Sequence, residues 1–255
     1  MADNDFEGFG IFEEPEGFRP STPPPKEVLH TRVIVPNGPE EIKLRLVGSH
    51  SLWAHYLWNS GIELANYIDK NPDTVRAKKV LELGAGAGLP SIVSAFDGAK
   101  FVVSTDYPDP ALIDNLEHNV KQYAEIASKI SAVGYLWGSN IKEVMSNAGF
   151  KDNEVFDILL LSDLVFNHTE HSKLIKSCKM AIEGNPNAVV YVFFTHHRPH
   201  LAKKDMIFFD IAQSEGFQIE KILEEKRTPM FEEDPGAPEI RATVHGYKMT
   251  IPIPV

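Results

Sequence analysis

Residues 80 to 90 read Val80-Leu81-Glu82-Leu83-Gly84-Ala85-Gly86-Ala87-Gly88-Leu89-Pro90. A short, mostly apolar run with strand character enters three alternating glycines, and Pro90 stands where a helix would have its first turn. Glycine tolerates positive φ and lets backbone N–H groups come close to an anion; the partial positive charge of a helix N-terminus adds to that. The segment predicts a buried strand, a sharp ligand-binding turn and a helix.

The same rhythm continues outward. Apolar runs at 80–83, 101–105, 130–136, 156–161 and 188–195 alternate with spacers long enough for helices. Strands that are apolar throughout, rather than on one face, imply a parallel sheet covered on both sides. A helix over 203–213 leads to strands over 217–225 and 242–251 with no helix between them, so they read as a closing antiparallel hairpin. The expected fold is therefore α/β and Rossmann-like, seven strands with helices on both faces.

Upstream, 28–35 and 42–47 flank the turn Pro36-Asn37-Gly38-Pro39 as an edge hairpin. Helical spacing of apolar residues predicts a helix over 52–68 that buries Leu57, Leu64, Tyr67 and Ile68 and stops at Asn71-Pro72. Residues 1–30 carry seven acidic side chains against two basic ones, with Pro23-Pro24-Pro25 and Phe6, Phe9, Phe12 and Phe18. They read as an extended arm, either docked through its phenylalanines or solvated and disordered, ahead of a domain over 31–255.

The chain of 255 residues has a formal charge of −11, which disfavours a nucleic-acid backbone as partner and suits a cationic substrate. Its single cysteine, Cys178, allows no internal disulfide and no thiolate metal site. No signal-like or membrane-spanning apolar run is present, so a cytoplasmic monomer that does not engage membranes is expected.

The glycine loop alone does not choose its ligand, since dinucleotides use similar turns. Its third glycine comes one residue earlier than in Gly-x-Gly-x-x-Gly, and Glu82 would sit awkwardly beside a pyrophosphate of like charge. A ligand bearing an ammonium and a sulfonium tolerates both features. Asp106, 22 residues beyond Gly84 at the end of the second sheet strand, is placed to accept ribose hydroxyls. The alternative for such an acid is a helix cap.

The strings LELGAGAGLPS, STDYPDPALIDNLEHN, YLWG and LLLSDLVFNHTEH together resemble the seven-stranded S-adenosylmethionine-dependent methyltransferases, and within them the lysine methyltransferases called family 16. The resemblance implies S-adenosyl-L-methionine as cofactor and S-adenosyl-L-homocysteine as its product. It implies that Gly84, Ala85 and Gly86 wrap the methionine part with Glu82 nearby, that Asp106 holds the ribose and Trp137 the adenine, and that Trp58 and Ser162 complete the pocket. The FEGFGIFEEPEGFRP arm and the FFTHHRPH segment are similar to those of fungal enzymes acting on elongation factor 1-alpha. This implies a protein acceptor, methylated on its N-terminal glycine and the adjacent lysine.

Asp163-Leu164-Val165-Phe166 occupies the family's acid-x-x-aromatic motif after the fourth sheet strand, so Asp163 is expected to hold the amine and Phe166 to line its channel. Many relatives carry tyrosine where this chain has Phe166. Asn167 and Glu170 read as a capping box for the following helix, which frees Asp163 from that role. His168, His171, His196, His197 and His200 contain no HExxH pair and read as exposed loop histidines rather than metal ligands, with His196 and His197 facing substrate. Cys178 shares an apolar helix face with Leu174, Ile175 and Ile182 and reads as core. Three other functions compete: a nicotinamide-dinucleotide oxidoreductase, a small-molecule N-methyltransferase and a non-catalytic binding module.

Overall fold

The computed structural model describes residues 23–151 and 154–252; the phenylalanines of the arm lie outside the described residues. Strands β1 (Lys26–Thr31) and β2 (Glu41–Leu46) pair antiparallel as a separate ribbon. Helix α1 (Asn59–Lys70) leads into β3 (Lys79–Leu83), α2 (Leu89–Phe96), β4 (Phe101–Asp106), α3 (Pro110–Lys121) and the short α4 (Ala124–Ala127). Then follow β5 (Ile130–Gly134), α5 (Ile141–Asn147), β6 (Ile158–Ser162), α6 (His171–Ile182) and β7 (Val189–Thr195). The described chain closes with α7 (Ala202–Ser214), β8 (Gln218–Lys226), α8 (Pro238–Ala242) and β9 (Thr243–Thr250).

Seven strands form one sheet in the order β5-β4-β3-β6-β7-β9-β8, parallel except for β9, which runs against both its neighbours. The strand order reverses at β3, whose partners β4 and β6 are reached through connections on opposite sides. Such a switch point leaves a crevice at the carboxyl ends of β3 and β6, where ligands of open α/β sheets bind.

Burial follows the two-residue period of a strand. Leu81 and Leu83 join Leu159, Leu161, Val190 and Val192 in one core layer with Val144 of α5, Leu174 of α6 and Phe208 of α7. Val80 points the other way, joining Ile158, Leu160 and Phe193 in a layer with Leu64 of α1, Ile92 of α2 and the β2 residues Ile42 and Leu44. Cys178 lies fully buried in the first layer, as expected of core.

Three local expectations are corrected. Residues 52–58 are turns, and α1 begins only at Asn59, because Trp53 adopts φ 64, which no helix accommodates. The first hairpin strand ends at Thr31 rather than at 35, since Arg32 turns inward while Val33, Ile34 and Val35 are exposed. The short helix α8 occupies part of the segment expected to join β8 and β9 without one.

Arg32 ties this hairpin to the helices behind the crevice. Its guanidinium donates to both oxygens of Asp69 on α1, at 3.0 and 2.5 Å, and to Asp97 at the end of α2, at 3.2 Å. It also donates to the carbonyls of Asn37 and Pro39 in the hairpin turn. All three charged side chains are buried, so removing the cation strands two carboxyl groups in a low-dielectric setting. Arg32→Ala is expected to cost about 3–5 kcal/mol of stability, read as a lowered midpoint in urea denaturation with an unchanged slope.

Candidate functional site

The three glycines of the turn have φ of 64, 56 and 79 at Gly84, Gly86 and Gly88. At two of them an added side chain would crowd a leucine and force it to shift. A Cβ on Gly84 would stand 2.6 Å from Leu164 Cδ2, and one on Gly88 2.6 Å from Leu116 Cδ1. A Cβ on Gly86 would meet nothing within 4 Å, because that position opens onto a cavity of about 540 Å³. The turn is held by the Ala85 N–H donating to the Thr105 carbonyl at 2.9 Å and the Gly88 N–H donating to the Ala85 carbonyl at 2.8 Å. The N-terminus of α2 follows at once, with Gly88, Leu89 and Pro90 in the cavity wall. An open glycine floor beside a helix N-terminus fits the amino-acid end of the expected cofactor.

Asp106 ends β4 against this floor. Its Oδ2 accepts the Gly86 N–H and its Oδ1 the Tyr107 N–H, both at 2.7 Å. Burial raises its pKa, and the two N–H bonds work against that shift. Each oxygen keeps a further lone pair, enough for the two hydroxyls of a ribose. The alternative cap is filled elsewhere: Asp109 caps α3 by accepting the Ala111 N–H at 2.8 Å.

Gly84, Ala85, Gly86, Asp106, Trp137, Ser162, Trp58, Asp163 and Phe166 all line this one cavity. Glu82 does not. The two-residue period turns it toward α2, where it is fully buried and its Oε2 accepts from the Ser91 N–H at 3.1 Å and the Ser91 hydroxyl at 2.5 Å. Burial pushes its carboxyl up to about 8. Burial thus disfavours its charged form, and the charge conflict with a pyrophosphate read from the sequence weakens.

Asp163 follows β6 with φ 55, a left-handed conformation that aspartate tolerates better than most residues. Its N–H donates to the Phe193 carbonyl at 2.8 Å. Its Oδ1 accepts the Thr195 N–H at 3.2 Å and pairs with His197 Nε2 at 3.0 Å. Its Oδ2 is buried without a partner. Burial lowers the pKa of His197, but the charge and hydrogen bond of Asp163 outweigh that, and the net shift is upward. His197 thus reaches the site through Asp163 and through the Trp58 ring, 4.9 Å away between centroids.

The exposed-loop reading of the histidines is corrected. His168 Nε2 and His196 Nδ1 grip the two oxygens of buried Asp205, each at 2.6 Å, which turns His196 away from the cavity. His171 is buried with Nε2 on the Val165 carbonyl at 2.6 Å; of the five, only His200 is exposed. Among the described residues, no group of three or more His, Cys, Asp or Glu is placed to hold a metal. The capping box also fails: Asn167 makes no side-chain bond to a helix N–H, and its Oδ1 accepts the Thr169 hydroxyl instead.

Sequence reasoning missed Trp53, Tyr56, Tyr107 and Leu136 in the cavity wall. The signal for the first two was their crowding with His55 and Trp58 in six residues, which a helix would have scattered around its circumference.

A lysine methyltransferase family model matches residues 40–215. The protein N-terminal and lysine N-methyltransferase of Neurospora crassa is 42% identical, with 98% of this chain and 90% of that one covered. The protein of the same name from Debaryomyces hansenii is 43% identical over 97% of this chain and 98% of its own. Among solved structures, a proposed RNA methyltransferase from Pyrococcus horikoshii superposes with a TM-score of 0.56 at 20% identity, over 82% of this chain and 92% of that one, a likeness of fold.

Gly84→Ala is expected to lower both melting temperature and S-adenosylhomocysteine affinity, because its Cβ collides with Leu164. Gly86→Ala, free of such a clash, should cost only the roughly 1–2 kcal/mol of a left-handed alanine yet weaken that affinity at least ~10-fold in calorimetry. Folded Glu82 keeps its proton to about pH 8, whereas an unshifted carboxyl releases it near 4.5. The folded state then binds more protons across that window, and stability falls as pH rises through it. Glu82→Gln should remove this slope, gaining on the wild type by on the order of a few kcal/mol between about pH 5 and pH 8 in thermal melts.

Proposed function

Because the chain belongs to the lysine methyltransferase family and is an S-adenosylmethionine-dependent protein methyltransferase, we propose that its acceptor is elongation factor 1-alpha, methylated on the N-terminal glycine and the adjacent lysine. In this reading Gly84, Ala85 and Gly86 hold the methionine part of the cofactor, Asp106 the ribose and Trp137 the adenine, with Trp58 and Ser162 closing the pocket. The names of the relatives support an amine acceptor on a protein; the elongation factor is our assignment.

One observation carries the catalytic part: the buried, unpartnered Oδ2 of Asp163 at the wall of the cavity. A buried acceptor without a donor costs free energy until one arrives, and an incoming amine supplies it. When bound, S-adenosylmethionine supplies an electrophilic methyl group on a sulfonium. The residues of the chain have only to present a neutral amine in line and to exclude water. Asp163 Oδ2 accepts one amine N–H and fixes the direction of the nitrogen lone pair. The Thr195 N–H and His197 fix Asp163 in turn. Phe166 lines the approach with an apolar wall that favours an organic cation over water. An α-amine, with an ordinary pKa near 8, sheds its proton more readily than a lysine near 10.4, so the N-terminal amine is the easier acceptor. The proton leaves to water.

No helix of the described residues is long and apolar enough to cross a membrane. Unpaired, buried Cys178 suits a reducing compartment, and we assign the protein to the cytoplasm as a monomer.

Asp163→Asn keeps the left-handed backbone and the acceptor for the Thr195 N–H but removes the charge. It is expected to spare S-adenosylhomocysteine binding and to cut turnover more than ~10-fold, as for loss of an orienting group; unchanged turnover would reject the role. Incubating the enzyme with methyl-labelled cofactor and purified elongation factor 1-alpha should place label on the first two residues. Label only on another protein, or only on a small molecule, rejects the acceptor.

A further inference from the structure

Four aromatic rings gather at the mouth of the cavity. Trp53, Tyr56 and Trp58 line it, and Phe231, from the segment between β8 and α8, packs behind them. The Tyr56 centroid lies 5.4 Å from that of Trp58 and 5.2 Å from that of Phe231, and Trp53 lies 6.3 Å from Tyr56. Two details set this cluster apart from ordinary packing. Trp53 is 47% exposed and held at φ 64, a conformation that is strained for a bulky residue. It is pinned there by its N–H on the His50 carbonyl at 3.0 Å and by the Trp58 indole donating to its own carbonyl at 3.3 Å. Arg241, buried, anchors Phe231 by donating to its carbonyl.

The surroundings select the charge of what binds. Asp163, whose Oδ2 has no partner, lies one histidine ring away from Trp58. Glu232, Glu233 and Asp234 directly follow Phe231. The ammonium of Lys26 already stands 5.7 Å from the Tyr56 centroid, so one face of the cluster holds a cation. Aromatic faces attract ammonium groups, quaternary ones included, most strongly when partly desolvated.

We propose that Trp53, Tyr56 and Trp58, backed by Phe231, form a cation-binding collar that holds the second amine of the acceptor while the first lies at Asp163. This rests on the reading of an acceptor with two neighbouring amines. An N-terminal amine and the side-chain nitrogen of the next lysine are separated by one residue step of about 3.8 Å plus a four-carbon stem, a span that reaches past a single histidine ring. With the α-amine at Asp163 the lysine occupies the collar. With the lysine at Asp163 the methylated terminus does, since methylation leaves its charge in place. One site thus serves both acceptors without rebuilding.

The test compares binding of Gly-Lys-Ala amide and Gly-norleucine-Ala amide by calorimetry with S-adenosylhomocysteine saturating. The wild type is expected to prefer the lysine peptide at least ~5-fold. With S-adenosylhomocysteine saturating for each variant, Trp53→Leu, which keeps apolar bulk without a π face, should lose most of that preference, and Trp53→Phe should keep it. Equal affinity of the wild type for the two peptides, no binding of either, or full preference in Trp53→Leu overturns the collar. A lysine preference that persists while elongation factor 1-alpha takes no label upholds the collar and rejects that acceptor alone.

Discussion

Strand β3 is paired on both edges and covered on both faces, so the chain leaving it has one way out and must turn within a few residues. Positive φ at Gly84, Gly86 and Gly88 makes that turn possible, and the site is organised around it. The turn throws the N-terminus of α2 toward the crevice, brings the Gly86 N–H to Asp106, and leaves room above Gly86 where any other residue would put a methyl group. Asp163 closes the opposite wall because β6 ends beside β3 in parallel register, Leu161 opposite Leu83.

Buried charge is handled in three ways around this turn, each with its own consequence. Arg32 is matched by two carboxyl groups and two carbonyls, and so locks the hairpin onto α1 and α2. Glu82 has two hydrogen bonds and no cation, and burial pushes its carboxyl up to about 8. Asp163 keeps His197 on one oxygen and has no partner on the other, and of these groups it alone lines the cavity. Only the last is poised for a ligand.

Much of this was legible in the chain itself. Continuous apolar runs announce buried parallel strands because both faces must be covered, and the five strands β3 to β7 fall close to where such runs lie. The glycine turn and Asp106 were legible because backbone conformation and spacing are local properties. What escaped was long-range or irregular. Apolar spacing over 52–58 satisfies a cavity wall as well as a helix face, and nothing in the residues foretells φ 64 at Trp53. The pairing of His168 and His196 with Asp205 spans 37 and 9 residues and exists only once α7 docks. Glu82 was assigned to the ligand by proximity in sequence, yet in a strand the neighbouring residue faces the opposite side.

The antiparallel placement of β9 bears on how the molecule is made. Thr195, whose N–H steadies Asp163, pairs with Val244, and β9 fills the gap between β7 and β8. During synthesis the glycine turn, Asp106 and Asp163 all emerge well before the strand that completes their sheet. A nascent chain at that stage exposes the unpaired edge of β7, an invitation to pair with a neighbouring chain. The backbone that steadies Asp163 therefore gains its second paired edge only when β9 is in place.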